Sequence, residues 1–169
     1  QANRTRVQVG QQAAINLLGD MTNMNVGLMR YDSDGDGGMV LALDLLEMEP
    51  IHGVEFIQGD FREDDVLARL EEKLNGRSVG LVMSDMAPNM SGVPLVDQAR
   101  IMHLAELGLE FSKAHLKPEG VFLVKVFQGT DYESFLRSMR ETFKTVAVRK
   151  PDASRDRSAE LYLLGRILR

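Results

Sequence analysis

The sequence predicts an α/β fold, a mostly parallel sheet with crossover helices and an antiparallel edge, and three observations predict it. From about residue 39 onward, short apolar runs alternate with amphipathic segments, the rhythm of strands joined by helices. Acidic residues stand at or just beyond the ends of three of these runs: Asp44, Asp60 and Asp85. The two closing runs, TVAVRKP and ELYLLGRIL, read as a strand pair that forms the antiparallel edge of a mixed sheet.

Taken in order, RTRVQVGQQAAINLLGDM carries Val7, Ala14, Leu17 and Leu18 at helical spacing, with Gly10 as a weak point. NVGLMRY (25–31) follows as a strand. DSDGDGG (32–38) then leaves no room for a helix before the next strand. A parallel crossover needs a dozen or more residues, so a hairpin or a break in the architecture is expected here. MVLALDLL (39–46) and VEFIQGDF (54–61) are buried strands. REDDVLARLEEKL (62–74) places Val66, Leu67, Leu70 and Leu74 on one helical face, with acidic residues in its first turn. SVGLVMSDMA (78–87) is a strand that ends at an acidic residue. Pro94 opens a long helix through Ile101, Leu104, Ala105, Leu107, Gly108 and Phe111, closing near LKPEG. GVFLVKVF (120–127) is a strand and YESFLRSMRETF (132–143) a helix. The rhythm divides the chain into an atypical segment, 1–38, and an α/β core, 39–169.

The composition is that of one globular domain: 169 residues, 44% hydrophobic and 27% charged. With no cysteine, disulfides, thiolate metal sites and cysteine nucleophiles are excluded. No run reaches the roughly 18 apolar residues of a membrane span, and the first residues lack the apolar core of a signal peptide. A cytoplasmic, monomeric chain without membrane attachment is expected. The net charge of −5 conceals a gradient, because residues 137–169 carry nine basic groups against four acidic ones. That stretch alone suits a polyanion by charge, unless it is simply a solvated basic segment.

In open α/β sheets ligands bind outside the carboxyl ends of the strands, so Asp44, Asp60 and Asp85 are expected to line one crevice. Asp44, after the second strand of such a unit, is a candidate for a ribose diol, and Asp60 for a purine amino group. Lys125 lies at the centre of FLVKVFQ. Burying it costs several kcal/mol unless a carboxylate pairs with it or it gives up its proton, and a lysine so placed suits work on a hydroxyl group. The alternative is a lysine that snorkels from an edge strand. Glu160 stands among Arg149, Lys150, Arg155 and Arg157, where it either neutralises the arginines or orients a reacting group while they meet phosphates. With few aromatics, recognition by shape and phosphate is favoured over base reading. No metal set is expected. DSDGDG has the first half of a calcium loop, but Leu43 stands where its final glutamate belongs. His52, His103 and His115 lack metal spacing, and the latter two are expected on a helix surface.

The strings ALDLLEMEPIHGVEFIQGDFRED, VMSDMAPNMSGVPLVD, FLVKVFQGTDYESFLRSMRETF and VRKPDASRDRSAELYLLG closely resemble the RrmJ/FtsJ family of 2′-O-ribose methyltransferases of bacterial large-subunit ribosomal RNA, over about residues 39–165. The resemblance implies a Rossmann-like fold, S-adenosylmethionine as methyl donor and a uridine ribose of 23S RNA as acceptor. The family's reactive set is Lys, Asp, Lys, Glu, and its last three members fall on Asp85, Lys125 and Glu160. Its donor-binding acids fall on Asp44 and Asp60, with Asp85 near the donor methyl group. Lys125 is then expected to accept or steer the hydroxyl proton, Asp85 to hold it, and Glu160 to orient the ribose.

The departures lie at the start. Residues 1–72 contain no lysine for the first member of the set. Nothing in residues 1–38 matches the family's first strand and its glycine-rich donor loop, Asp-Leu-Gly-x-x-Pro-Gly-Gly-Trp. That segment instead resembles part of a von Willebrand A-type domain of pilus-tip adhesins, without the Asp-x-Ser-x-Ser metal motif. The expectation is a methyltransferase whose first strand and donor loop are replaced by a foreign segment, with a junction near residues 37–40, exposed sheet edges and weak or absent activity. A noncatalytic RNA-binding remnant, a chimeric join, and a calcium-dependent adhesion fragment are the alternatives.

Overall fold

A computed structural model describes residues 28–31, 40–150 and 159–169, the first of these by its backbone path. The helix expected before residue 25, the DSDGDGG segment, and Arg155 and Arg157 lie outside the described residues.

Among the described residues seven strands form one sheet: β1 Leu28–Tyr31, β2 Val40–Asp44, β3 Val54–Gln58, β4 Val79–Ser84, β5 Leu116–Phe127, β6 Phe143–Arg149 and β7 Glu160–Leu168. Their spatial order is β3-β2-β1-β4-β5-β7-β6. β2 runs parallel to β3 and β4 to β5, whereas β7 is antiparallel to both β5 and β6. The expected antiparallel edge is therefore present. β1 is antiparallel to both of its neighbours, pairing Leu28 with Leu43 on one side and Met29 with Met83 on the other. The connection of eight residues between β1 and β2 is too short for a crossover helix. One expectation needs correcting: the central position is filled, in reverse, so β2 and β4 are not left as open edges.

Three described helices cover the sheet: α1 Asp64–Leu74, α2 Pro94–His115 and α3 Tyr132–Thr142. α1 buries Val66, Leu70 and Leu74, the 3.6-residue stripe, and Asn75 ends it in the left-handed region at φ 47°. α2 starts with Pro94 at its first turn and buries Ile101, Leu104, Ala105, Gly108 and Phe111. α3 buries Tyr132, Phe135, Leu136 and Met139. These faces meet Val82, Phe122, Val124, Val126 and Leu163 of the strands in one large core. The opposite face of the strands carries a smaller cluster, Leu81, Met83, Val121 and Leu123, with Tyr162 and Leu164 packed against it.

Two strands start earlier than the sequence reading places them. β5 starts at Leu116, directly after α2, and not at Gly120. LKPEG is taken up in a register shift, where β4 steps from Val79↔Leu116 to Leu81↔Val121 and Pro118 is accommodated by the bulge. β6 starts two residues early because the Phe143 ring is fully buried, 6.2 Å from that of Phe122. His103 is on the surface of α2 as expected, but His115 is only half-exposed: it packs on Phe111 and meets Glu71 of α1 at 3.2 Å.

Candidate active site

Because β2 to β5 run the same way, Asp44, Asp60, Asp85 and Lys125 all come to one end of the sheet. β7 runs the other way and so begins at that end, bringing Glu160 opposite Phe127. β6 finishes there with Arg149 opposite Tyr162.

The centre of the arrangement is set by strand alternation. Side chains two apart share a sheet face, so Leu81 and Met83 are followed in phase by Asp85, and Val121 and Leu123 by Lys125. Ladder pairing of Met83 with Leu123 places Asp85 beside Lys125. The Lys125 ammonium lies 2.9 Å from Asp85 Oδ1, with the two side chains 12% and 21% exposed. The carboxylate satisfies the lysine inside its hydrophobic run, which a snorkelling edge lysine would not require; β5 is an interior strand. Tyr162, the cross-strand partner of Lys125, donates its hydroxyl to the same Oδ1 at 3.0 Å. Burial, then the carboxylates of Asp85 and Glu160, push the Tyr162 phenol far above its ordinary range, so it acts as a donor only. Glu160 also hydrogen-bonds Tyr162. Asp85, Lys125, Tyr162 and Glu160 are thus one connected polar group at the rim of the smaller apolar cluster.

Tyr162 was missed in the sequence, although ELYLL puts it in phase with Glu160 and a tyrosine there needs a partner for its hydroxyl. What such a group can do is hold a substrate hydroxyl between an ammonium and a carboxylate, in a partly dry setting where both act strongly.

The other acids are arranged differently. Asp44 is 9% exposed, and its Oδ1 accepts the N–H of Leu46 at 2.9 Å, which turns the chain sharply after β2. The Asp60 carboxylate is forked by the Arg62 guanidinium and also accepts the Arg62 N–H at 2.9 Å. Arg62 holds its carboxyl below the usual range against the opposing effect of burial. Asp60 is therefore an ionised acceptor already engaged by its own loop, and a purine amino group would share it with Arg62. Arg149 and Lys150 are exposed at the end of β6. Among the described residues no three His, Asp or Glu side chains gather as a metal set, and no helix is long and apolar enough to cross a membrane.

A family model described as FtsJ-like methyltransferase matches residues 20–168. The chain is 87% identical over 135 residues to ribosomal RNA large subunit methyltransferase E of Dechloromonas aromatica, covering 80% of this chain and 66% of that protein. It is 61% identical over 132 residues to the protein of the same name from Chromobacterium violaceum, covering 78% and 64%. The chain thus spans just under two thirds of the length of the curated relatives it matches. A crystal structure described as a ribosomal RNA methyltransferase from Plasmodium falciparum superposes with a TM-score of 0.66 at 24% identity, over 76% of this chain and 71% of that one, a likeness of fold.

Proposed function

The chain belongs to the FtsJ-like methyltransferase family, and from that premise we propose that it methylates a ribose 2′-hydroxyl of 23S ribosomal RNA with S-adenosylmethionine as donor. The observation that carries this reading is the Lys125–Asp85 pair, 2.9 Å apart at the carboxyl ends of the parallel strands.

The donor supplies an electrophilic methyl group. The residues here fit one part of it: Asp44, buried at the end of β2, stands where doubly wound sheets receive a ribose diol. For the remainder the fit fails. Doubly wound sheets cradle the ligand in the loop at the carboxyl end of the first strand, and β1 runs the wrong way. Its carboxyl end, Tyr31, pairs with Leu81 near the start of β4, remote from Asp85. That reversal also supports the division of the chain at residues 38 and 39.

Lys125 steers the acceptor hydroxyl, its ammonium aimed by Asp85 and its strand locked between β4 and β7. Asp85 fixes the lysine and is the nearest carboxylate to take the proton that the hydroxyl loses. Tyr162 holds Asp85 in place through its donated hydrogen bond. Glu160, at the rim, orients the ribose. Since the acid and base strengths required are small, alignment contributes most of the acceleration. Arg149 and Lys150, with Arg155 and Arg157, meet phosphates and set register without reading bases. The chain works as a monomer in the cytoplasm.

The test is transfer of a labelled methyl group from S-adenosylmethionine to large ribosomal subunits by the full chain and by Lys125→Ala. Incorporation confined to the unaltered chain supports the reading; equal incorporation by both overturns it. Salt-sensitive RNA binding with neither transfer nor donor binding favours the noncatalytic remnant instead.

A further inference from the structure

We infer that the first turns of α2 are a positioning clamp for the Asp85–Lys125 pair, with Asp97 holding the loop after β4 and Gln98 holding the loop after β5. The inference rests on the reading of that pair as the reacting group.

Pairing between β4 and β5 stops at Ser84↔Val124. Asp85 comes one residue later: the ladder delivers it beside Lys125, and the loop that follows, outside the ladder, holds its backbone there. That loop is tied down at its far end. Asp97 is only 3% exposed, yet it carries a carboxylate. Its Oδ1 accepts the N–H and the hydroxyl of Ser91, both at 2.7 Å, and its Oδ2 accepts the N–H of Gly92 at 3.0 Å. Charge-assisted bonds of this kind are about twice as strong as neutral ones. Gly92 sits at φ 81°, which a side chain would resist, so the turn is built to present its N–H to Asp97. Arg100, one turn along, donates to the Asn89 carbonyl at 3.4 Å.

Gln98, the next residue, faces the other loop. Its Nε2 donates to the carbonyl of Phe127 at 3.2 Å and to that of Thr130 at 3.1 Å. Phe127 ends β5 two residues beyond Lys125. Gly129 lets the amide come close, since a Cβ there would lie 2.9 Å from Gln98 Cδ. One rigid helix end therefore fixes the loop that carries Asp85 and the loop that leaves β5 two residues beyond Lys125. Neither residue reaches the reacting group itself; both act through the loops.

The test uses the full chain with lysine side chains labelled in nitrogen and carbon. Its sequence has six lysines, and Lys125 is identified by the signal that Lys125→Arg removes. In the unaltered chain the Lys125 ammonium should exchange slowly enough to be seen. We expect Gln98→Ala and Ser91→Ala, which each delete side-chain ties while leaving Asp97 in place, to shift and broaden that signal in a chain whose backbone spectrum stays native. Asp97→Asn should do so more strongly, and Leu95→Ala, on an exposed neighbouring position, not at all. In methyl transfer, Gln98→Ala should lower kcat about tenfold with KM for RNA within about twofold, the mark of misalignment. A Lys125 signal unmoved in folded Gln98→Ala and Ser91→Ala overturns the clamp. Absence of transfer in the unaltered chain would sink the proposed activity instead, and the ammonium signal would still decide the clamp.

Discussion

Lys125 shows how far single residues could be read in advance. A lysine within FLVKVF demands a partner, and Asp85 supplies it at 2.9 Å. Their partnership was implied only by the family resemblance, but each was legible alone, Lys125 from its apolar run and Asp85 from its place at a strand end. Tyr162 and Gln98 were not, since their roles depend on cross-strand register and on the approach of α2 to β5, which no local pattern encodes. Asp85→Asn should cost about 2 kcal/mol in urea unfolding, because it leaves a largely buried ammonium poorly compensated. Tyr162→Phe, which removes one hydrogen bond, should cost about 1 kcal/mol and reduce transfer without abolishing it. At Asp60 the sign follows from the direction of its shift. A carboxyl held below its ordinary range by Arg62 contributes stability that is present above the unfolded value, near 4, and is lost as pH falls through the folded value. Arg62→Ala should therefore flatten the fall in melting temperature as the pH drops below about 4. An unchanged acid limb would show that the fork is not made in solution.

Among the elements, helices and strands with strong periodicity emerged where expected, and the failures have particular causes. LKPEG reads as a helix stop, yet the turn signal marks a bulge inside β5. The length of DSDGDGG left a hairpin or a break in the architecture, and β1 and β2 pair antiparallel; the insertion of β1 beside β4 was not legible, because nothing in NVGLMRY specifies a second partner. β7 is the element that assembles the site, pairing Lys125 with Tyr162 and Arg149 with Tyr162 across its two edges. Its placement against β6 depends on Gly165, where a Cβ would lie 2.4 Å from Cδ2 of the fully buried Phe143. Gly165→Ala should cost about 2 kcal/mol through forced displacement of that ring, read as a lower melting temperature. No loss would mean that β6 and β7 are less closely packed than described.

At the scale of the whole molecule, the acidic average of −5 misrepresents a chain whose last 33 residues carry nine basic groups against four acidic ones. The parallel strands deliver the acids and Lys125 to one end of the sheet, and β6 and β7 bring Arg149 and Glu160 to the same end. The reversed β1 stands apart from the proposed transfer residues: Asp85 follows one parallel strand and Lys125 lies in the next, whereas β1 runs antiparallel to both of its neighbours. Each charge-assisted backbone hydrogen bond to the donor is worth roughly 1.5–3 kcal/mol, so calorimetry should find S-adenosylmethionine bound at least about tenfold more weakly than by the same core given a parallel first strand and its glycine-rich loop. Equal affinity would show that the reversal is harmless. The most direct measurement is methyl transfer itself: labelled S-adenosylmethionine, large ribosomal subunits, and digestion of the RNA to score 2′-O-methylated nucleotides. We expect slow incorporation by the unaltered chain and background levels for both Lys125→Ala and Asp85→Asn; incorporation that survives in Lys125→Ala, or that is absent from the unaltered chain, would contradict the assignment.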